Sequence, residues 1–169
     1  GRPDSITEEK LKVIKNHDIT RISINPQSMQ QKTLDVIGRK HTVEEIKEAY
    51  ALARKTGFDN INMDIIAGLP GEDISDMEDT LAQIAQMHPD SLTVHSLAIK
   101  RAARMEMEDL NRDAKETHEI LSGMIERAAK AAKEMDLFPY YLYRQKNIAG
   151  NFENVGYANC LLYTSDAAD

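Results

Sequence analysis

The chain of 169 residues has a single cysteine, Cys160. A lone thiol excludes an internal disulfide, and it excludes a thiolate metal site built from this chain alone. Long hydrophobic runs are missing too. None approaches the ~20 apolar residues that span a bilayer. The first residues are polar and include Pro3, so they do not read as a signal peptide, and the expectation is a cytoplasmic protein. Positive charge is in short supply. The formal net charge of −7 argues against broad binding to nucleic acid or anionic membrane, while leaving room for a local basic pocket. No histidine or acid pair has convincing metal-ligand spacing, and neither a Walker loop nor a nucleophile elbow occurs. What remains is ordinary for a globular domain: 41% hydrophobic and 29% charged residues, in a chain long enough to bury a core.

Three runs read as strands: ITRISIN over 19–25, NINMDIIA over 60–67 and SLTVHSLAI over 91–99. Their starts lie 41 and 31 residues apart. An eight-unit barrel of roughly 250 residues needs about 30 residues per unit. The intervening segments carry helix punctuation. Ser5 or Thr7 can cap a helix over 8–16. Thr42 with Glu45 at the third helical position forms a capping box. It opens the stripe Val43, Ile46, Ala49, Tyr50 and Ala53, which stops at Gly57. Ser75–Glu78 reads as a second capping box, for a helix carrying Met77, Leu81, Ile84 and Ala85 and ended by His88-Pro89. A long helix over 109–135 presents one stripe from Leu110 through Leu121, Met124, Ala128 and Ala131 to Met135. The methionines of these stripes are assigned to the core.

Alternating strands and helices predict the α/β class and a parallel sheet. Three parallel strands cannot close a barrel, and they leave bare edges. The chain also starts abruptly at Gly1-Arg2-Pro3-Asp4, so it reads as an internal fragment of a larger barrel or open sheet. Its last ten residues, CLLYTSDAAD over 160–169, look like a translated sequencing adapter. On that reading the natural sequence stops at Asn159. Without Asp166 and Asp169 the charge of −7 becomes −5. The alternative is a genuine, polar, frayed terminus.

Ligands of α/β folds bind beyond the carboxyl ends of the strands. Gln27 follows the first run, and its amide both donates and accepts. Asp64 lies near the end of the second, on an otherwise apolar strand, where a carboxylate needs a partner. Its two oxygens suit the two hydroxyls of a ribose. The loop Gly68-Leu69-Pro70-Gly71 either lets backbone approach a ligand or only makes a tight turn. Asp64 can equally cap that turn. Ala98, Lys100 and Arg101 end the third run, and the cations can be no more than a solvated helix start. His95 reads as a satisfied core histidine. Four of the nine aromatics fall in Phe138–Tyr143, before Arg144, Gln145, Lys146 and Asn147. Such a segment can stack on a flat ring and pair its carboxylates, or it can be a strand packing aromatics inward.

Taken in order, GRPD, RISINPQ, IGRKHT, NINMDIIAGLPGE, HSLAIKR and PYYLYRQKNIAGNFENVGYA resemble the oxygen-independent coproporphyrinogen III oxidases. They resemble in particular the coproporphyrinogen dehydrogenase branch of these radical S-adenosylmethionine (SAM) enzymes. The likeness covers residues 1–159. It implies the C-terminal part of a partial (β/α)6 barrel over 1–135, and the start of a C-terminal substrate or accessory region over 136–159. It also implies SAM and a [4Fe-4S] cluster held by a Cys-x3-Cys-x2-Cys loop, with an electron donor to the cluster. In such enzymes a deoxyadenosyl radical takes a hydrogen from a propionate, and loss of carbon dioxide leaves a vinyl group. Two rounds turn coproporphyrinogen III into protoporphyrinogen IX in heme biosynthesis. Matched by position, Gln27, Arg39 and Asp64 would contact SAM, with Asp64 on the ribose hydroxyls. Ala98 would meet the adenine. Lys100, Arg101, Arg144 and Lys146 are the candidates for substrate carboxylates.

The three-cysteine loop is absent from this sequence, and on the resemblance it belongs upstream of Gly1 with the first strands. As written, the chain is expected neither to bind a cluster nor to turn over. A heme chaperone of the same superfamily is the alternative, a binding function rather than catalysis. A nucleotide-binding half-barrel of another family would want a Gly-x-Gly-x-x-Gly loop that is not there. The remaining alternative is an incomplete scaffold with exposed sheet edges.

Overall fold

In a computed structural model of the chain, residues 1–97, 114–143 and 154–159 are described. After a single turn of 3-10 helix at Pro3–Ser5, the order is α1 (Glu8–Asn16), β1 (Arg21–Gln27), α2 (Gln31–Val36), α3 (Val43–Lys55), β2 (Asn60–Ala67), α4 (Ile74–Met87), β3 (Ser91–Ser96), α5 (Ala114–Glu134), β4 (Phe138–Tyr143) and β5 (Asn154–Ala158). The three expected strands are present and parallel, in the order β1-β2-β3. β5 then pairs antiparallel with β3, and β4 with β5, giving a mixed five-stranded sheet β1-β2-β3-β5-β4. The β3 edge that three strands alone would have left bare is therefore paired. The first strand runs two residues later than 19–25, and the third ends at Ser96.

Local chemistry explains the helix starts. The Thr7 hydroxyl accepts from the Lys10 N–H and opens α1. Thr42 and Glu45 exchange both bonds of the predicted capping box. The second box is displaced. Asp73, not Ser75, caps α4, with Asp76 reaching back to the Asp73 N–H. Both placements satisfy the same sequence rule, and Asp73 wins because its carboxylate accepts from Ser75 and Asp76 together. At the other end of α4, His88 adopts φ 53° as a left-handed cap before Pro89.

One face of the sheet packs against the helices. Ile24, Ile61, Met63, Ile65, Ala67, Leu92 and Val94 meet Ile46, Tyr50, Ala53, Met77, Leu81 and Ile84, all buried. The α5 stripe runs Leu121, Met124, Ala128 and Ala132. The expected Ala131 and Met135 pack half-buried against the same core, and Ala132 joins them because spacings of four and three drift on a helix with 3.6 residues per turn. The core assignment holds for Met77 and Met124, and Met135 packs half-buried against the same core. The part of the expected long helix over 109–113 lies outside the described residues.

Candidate functional site

Side chains alternate across a strand, so β2 shows Ile61, Met63, Ile65 and Ala67 to the helices and Asn60, Asn62, Asp64 and Ile66 to the opposite face. The parallel register continues that second face sideways. Arg21 stands beside Asn60, and Ser23 beside Asn62. Asn62, Asp64 and Ile66 stand beside Ser91, Thr93 and His95. The result is a polar face on a sheet whose other face is apolar. At the amino end of the strands, Arg21 donates to the Tyr140 hydroxyl at 2.7 Å and lies 3.5 Å from Ser91 Oγ. Arg21 belongs to one edge strand and Tyr140 to the other, so the sheet curls enough for its edges to touch across this face.

The candidate residues sit toward the other end. Asp64 is half-buried. Its Oδ1 accepts from Asn62 Nδ2 at 2.6 Å. Its Oδ2 takes no hydrogen bond from any described residue. One oxygen of this carboxylate is therefore satisfied by the fold, and the other is open toward the polar face.

Gln27 ends β1, paired with Ile65, the residue after Asp64. The register slips between Ile24 and Gln27, and Gln27 takes φ 72°. A left-handed glutamine costs about 1–2 kcal/mol and persists only where its surroundings hold it. Here they do. His41, buried, places Nε2 3.3 Å from the Pro26 carbonyl. Ser28 donates to the buried Glu72 carboxylate and accepts from the Gln30 N–H. Met29 N–H reaches Thr80 Oγ1 at 3.2 Å, and its carbonyl accepts from Gln83. Beside this bulge, Asn25 Oδ1 is buried without a described partner.

Glu72 follows the Gly68–Gly71 turn, so its bond to Ser28 ties the loop after β2 to the loop after β1. Burial pushes the Glu72 carboxyl up, and the Ser28 hydrogen bond offsets part of the rise. Of the two readings of GLPG, the turn prevails at Gly68. Gly68 has φ 84°, and a Cβ there would stand 3.1 Å from Leu121 Cδ1, so the missing side chain is filled by α5. Gly71 has φ 75° with open space around it.

Arg39 follows the left-handed Gly38 at the end of α2, half-buried, with its N–H on the Leu34 carbonyl. Its guanidinium bonds to no described residue. His95 is half-buried on the polar face rather than in the core. Ala98, Lys100, Arg101, Arg144 and Lys146 lie outside the described residues. In the aromatic segment, Phe138 and Tyr141 are more than half exposed, whereas Tyr140 is half-buried with its hydroxyl on Arg21. Asn62, Glu72, Ser28 and His41 escaped the sequence reading. For Asn62 a signal existed, since Asn60, Asn62 and Asp64 repeat at period two.

The donor set fits the nucleoside part of SAM: an available carboxylate oxygen, an orphaned amide oxygen and a strained glutamine, all at or beside the carboxyl ends of parallel strands. It does not supply a cluster. Among the described residues no group of histidine, cysteine and acids can hold a metal, and the sequence has one cysteine. No helix among them is long and apolar enough to cross a membrane.

Residues 1–84 match the model of the radical SAM superfamily and belong to it. Within that class the chain is 52% identical, over 94% of its length, to the oxygen-independent coproporphyrinogen-III oxidase-like protein HemZ of Bacillus subtilis, of which it covers 31%. It is 30% identical over 59% of its length to the heme chaperone HemW of the same organism, covering 26% of that protein. Among solved structures, the radical SAM enzyme coproporphyrinogen III oxidase HemN from Escherichia coli matches 94% of the chain with a TM-score of 0.72 at 20% identity, a likeness of fold. This chain spans between a quarter and a third of the curated relatives named here.

Proposed function

We propose that this chain is the SAM-nucleoside half of a radical SAM enzyme that oxidatively decarboxylates coproporphyrinogen III propionates to vinyl groups. The observation that carries the reading is the Asp64 carboxylate, held on one oxygen by Asn62 and open on the other, on the polar face of the sheet. The superfamily implies SAM and a [4Fe-4S] cluster; when bound, they supply a carbon radical able to abstract hydrogen. The work left to this chain is binding and orientation. Asp64 accepts from the ribose, Gln27 and Asn25 bond the nucleoside edge, and Arg39 pairs a carboxylate through its guanidinium. Lys100, Arg101, Arg144 and Lys146 remain the candidates for substrate propionates, which a chain of charge −7 needs locally if it is to hold a tetra-acid.

The likeness to HemW favours a second reading, in which the same scaffold carries heme and performs no decarboxylation. One experiment separates them. The full-length gene product is reconstituted anaerobically and incubated with SAM, a reductant and coproporphyrinogen III. Vinyl-bearing product and its loss in Asp64→Ala support the enzyme. Tight heme binding with no vinyl product supports the chaperone.

A further inference from the structure

Two residues before Asp64, on the same face of β2, Asn62 is 5% exposed and fully engaged. Its Nδ2 donates to Asp64 Oδ1 at 2.6 Å and to Ser23 Oγ at 2.8 Å. Its Oδ1 accepts from Thr93 Oγ1 at 3.1 Å. One amide therefore joins β1, β2 and β3. Its orientation follows from chemistry, because a carboxylate accepts only and must face the NH2 end. With both N–H groups used and the carbonyl bound, the side chain has no alternative rotamer of equal energy.

We propose that Asn62 is a positioning residue. It sets the rotamer of Asp64 by taking Oδ1, and so turns Oδ2 into the acceptor presented to the ligand. Ser23 and Thr93 act one step further out by fixing Asn62. The proposal rests on the reading that Asp64 binds the SAM ribose, and it adds what makes that carboxylate selective. An aspartate free to rotate would serve either ribose hydroxyl. One pinned through Oδ1 offers its open oxygen to a single hydroxyl, so removal of the 2′- and of the 3′-hydroxyl should have unequal effects. Pre-organised groups of this kind gain affinity because the rotamer is already fixed when the ligand arrives.

The test is a double-mutant cycle in the full-length protein, with S-adenosylhomocysteine and its 2′-deoxy and 3′-deoxy analogues as calorimetric probes. Asp64→Ala should weaken the parent ligand. Asn62→Ala should weaken it by about three- to tenfold in the Asp64 protein, as expected for one hydrogen bond, and leave it unchanged in Asp64→Ala. It should also shrink the difference between the two deoxy analogues, a readout that general loosening of the fold would not move. Because Asn62 is buried and its truncation can unfold the protein, Thr93→Val serves as the second variant. It keeps Asn62 and should reduce the same discrimination by a smaller factor. If Asp64→Ala binds normally, the ribose reading itself fails, and the proposal with it. If Asp64→Ala weakens binding but folded Asn62→Ala or Thr93→Val leaves both affinity and discrimination intact, the ribose reading stands and the positioning role is overturned. Equal losses from Asn62→Ala in the presence and absence of the Asp64 carboxylate overturn it as well.

Discussion

Gln27→Gly should make the protein no less stable while making it a poorer binder. Gln27 sits at φ 72°. For an L-residue that conformation costs about 1–2 kcal/mol, and glycine relieves it. Glycine brings back roughly 0.5–1 kcal/mol of entropy cost, because its unfolded chain is freer. The balance is a gain of between about 0 and 1.5 kcal/mol, at a strand end where the same change in ordinary extended backbone would lose up to ~1 kcal/mol. The conformation itself should survive the change. It is held by side chains that bond the residues flanking Gln27: His41 on the Pro26 carbonyl, Glu72 on the Ser28 hydroxyl, and Thr80 and Gln83 on the Met29 backbone. Gln27→Val tests the same strain in the other direction, since a β-branched residue tolerates positive φ worst. Thermal midpoints of the full-length variants should rank glycine at or above glutamine and valine clearly below. If the Gln27 amide bonds the ligand, Gln27→Gly should also weaken SAM by roughly three- to tenfold. A clear loss of stability on Gln27→Gly, or a harmless Gln27→Val, would refute the claim that strain is stored here.

Arg54 offers a purely structural counterpart. Its guanidinium meets Asp90 at 2.7 Å and bonds the Tyr50 hydroxyl and the carbonyls of His88 and Phe58, with the two charged side chains 30% and 18% exposed. Arg54→Ala should cost about 2–3 kcal/mol after allowing for solvent screening, and Arg54→Lys about half that, as read from denaturant midpoints. Glu72 makes a pH prediction. Its folded pKa lies above its unfolded one, so the stability it contributes is complete below the unfolded carboxylate range and is lost as pH rises through the folded pKa. Glu72→Gln should flatten that decline in a pH series of unfolding curves; an unchanged slope would mean that burial does not raise the Glu72 pKa. Gly68→Ala should cost about 2 kcal/mol, strain plus the 3.1 Å contact with Leu121, whereas Gly71→Ala should cost about 1 kcal/mol, strain alone. Equal losses at the two sites would remove Leu121 from the explanation.

How much of this was legible beforehand depended on how far along the chain each interaction reaches. The Thr42 box, the Thr7 cap and the stripe Ile46, Ala49, Tyr50, Ala53 were legible because their partners lie within four residues. The Asp73 cap was missed by two residues because Asp73 and Ser75 both offer an acceptor three residues ahead of an acid; only the folded helix shows which one is used. The insertion of β5 between β3 and β4 had no local signal, since it pairs residues more than sixty apart, Ser91 with Ala158. Asp64 was legible as an anomaly, one acid on an apolar strand. The same β2 stretch carries Asn60, Asn62 and Asp64 at period two, and on a strand that spacing defines a face. Once Asn62 is seen on that face beside Ser23 and Thr93, the carboxylate no longer waits for a ligand to satisfy all of it. The fold satisfies half, which is why the side chain can be aimed in the absence of ligand, and why the remaining oxygen is the part of the proposed site on which specificity can act.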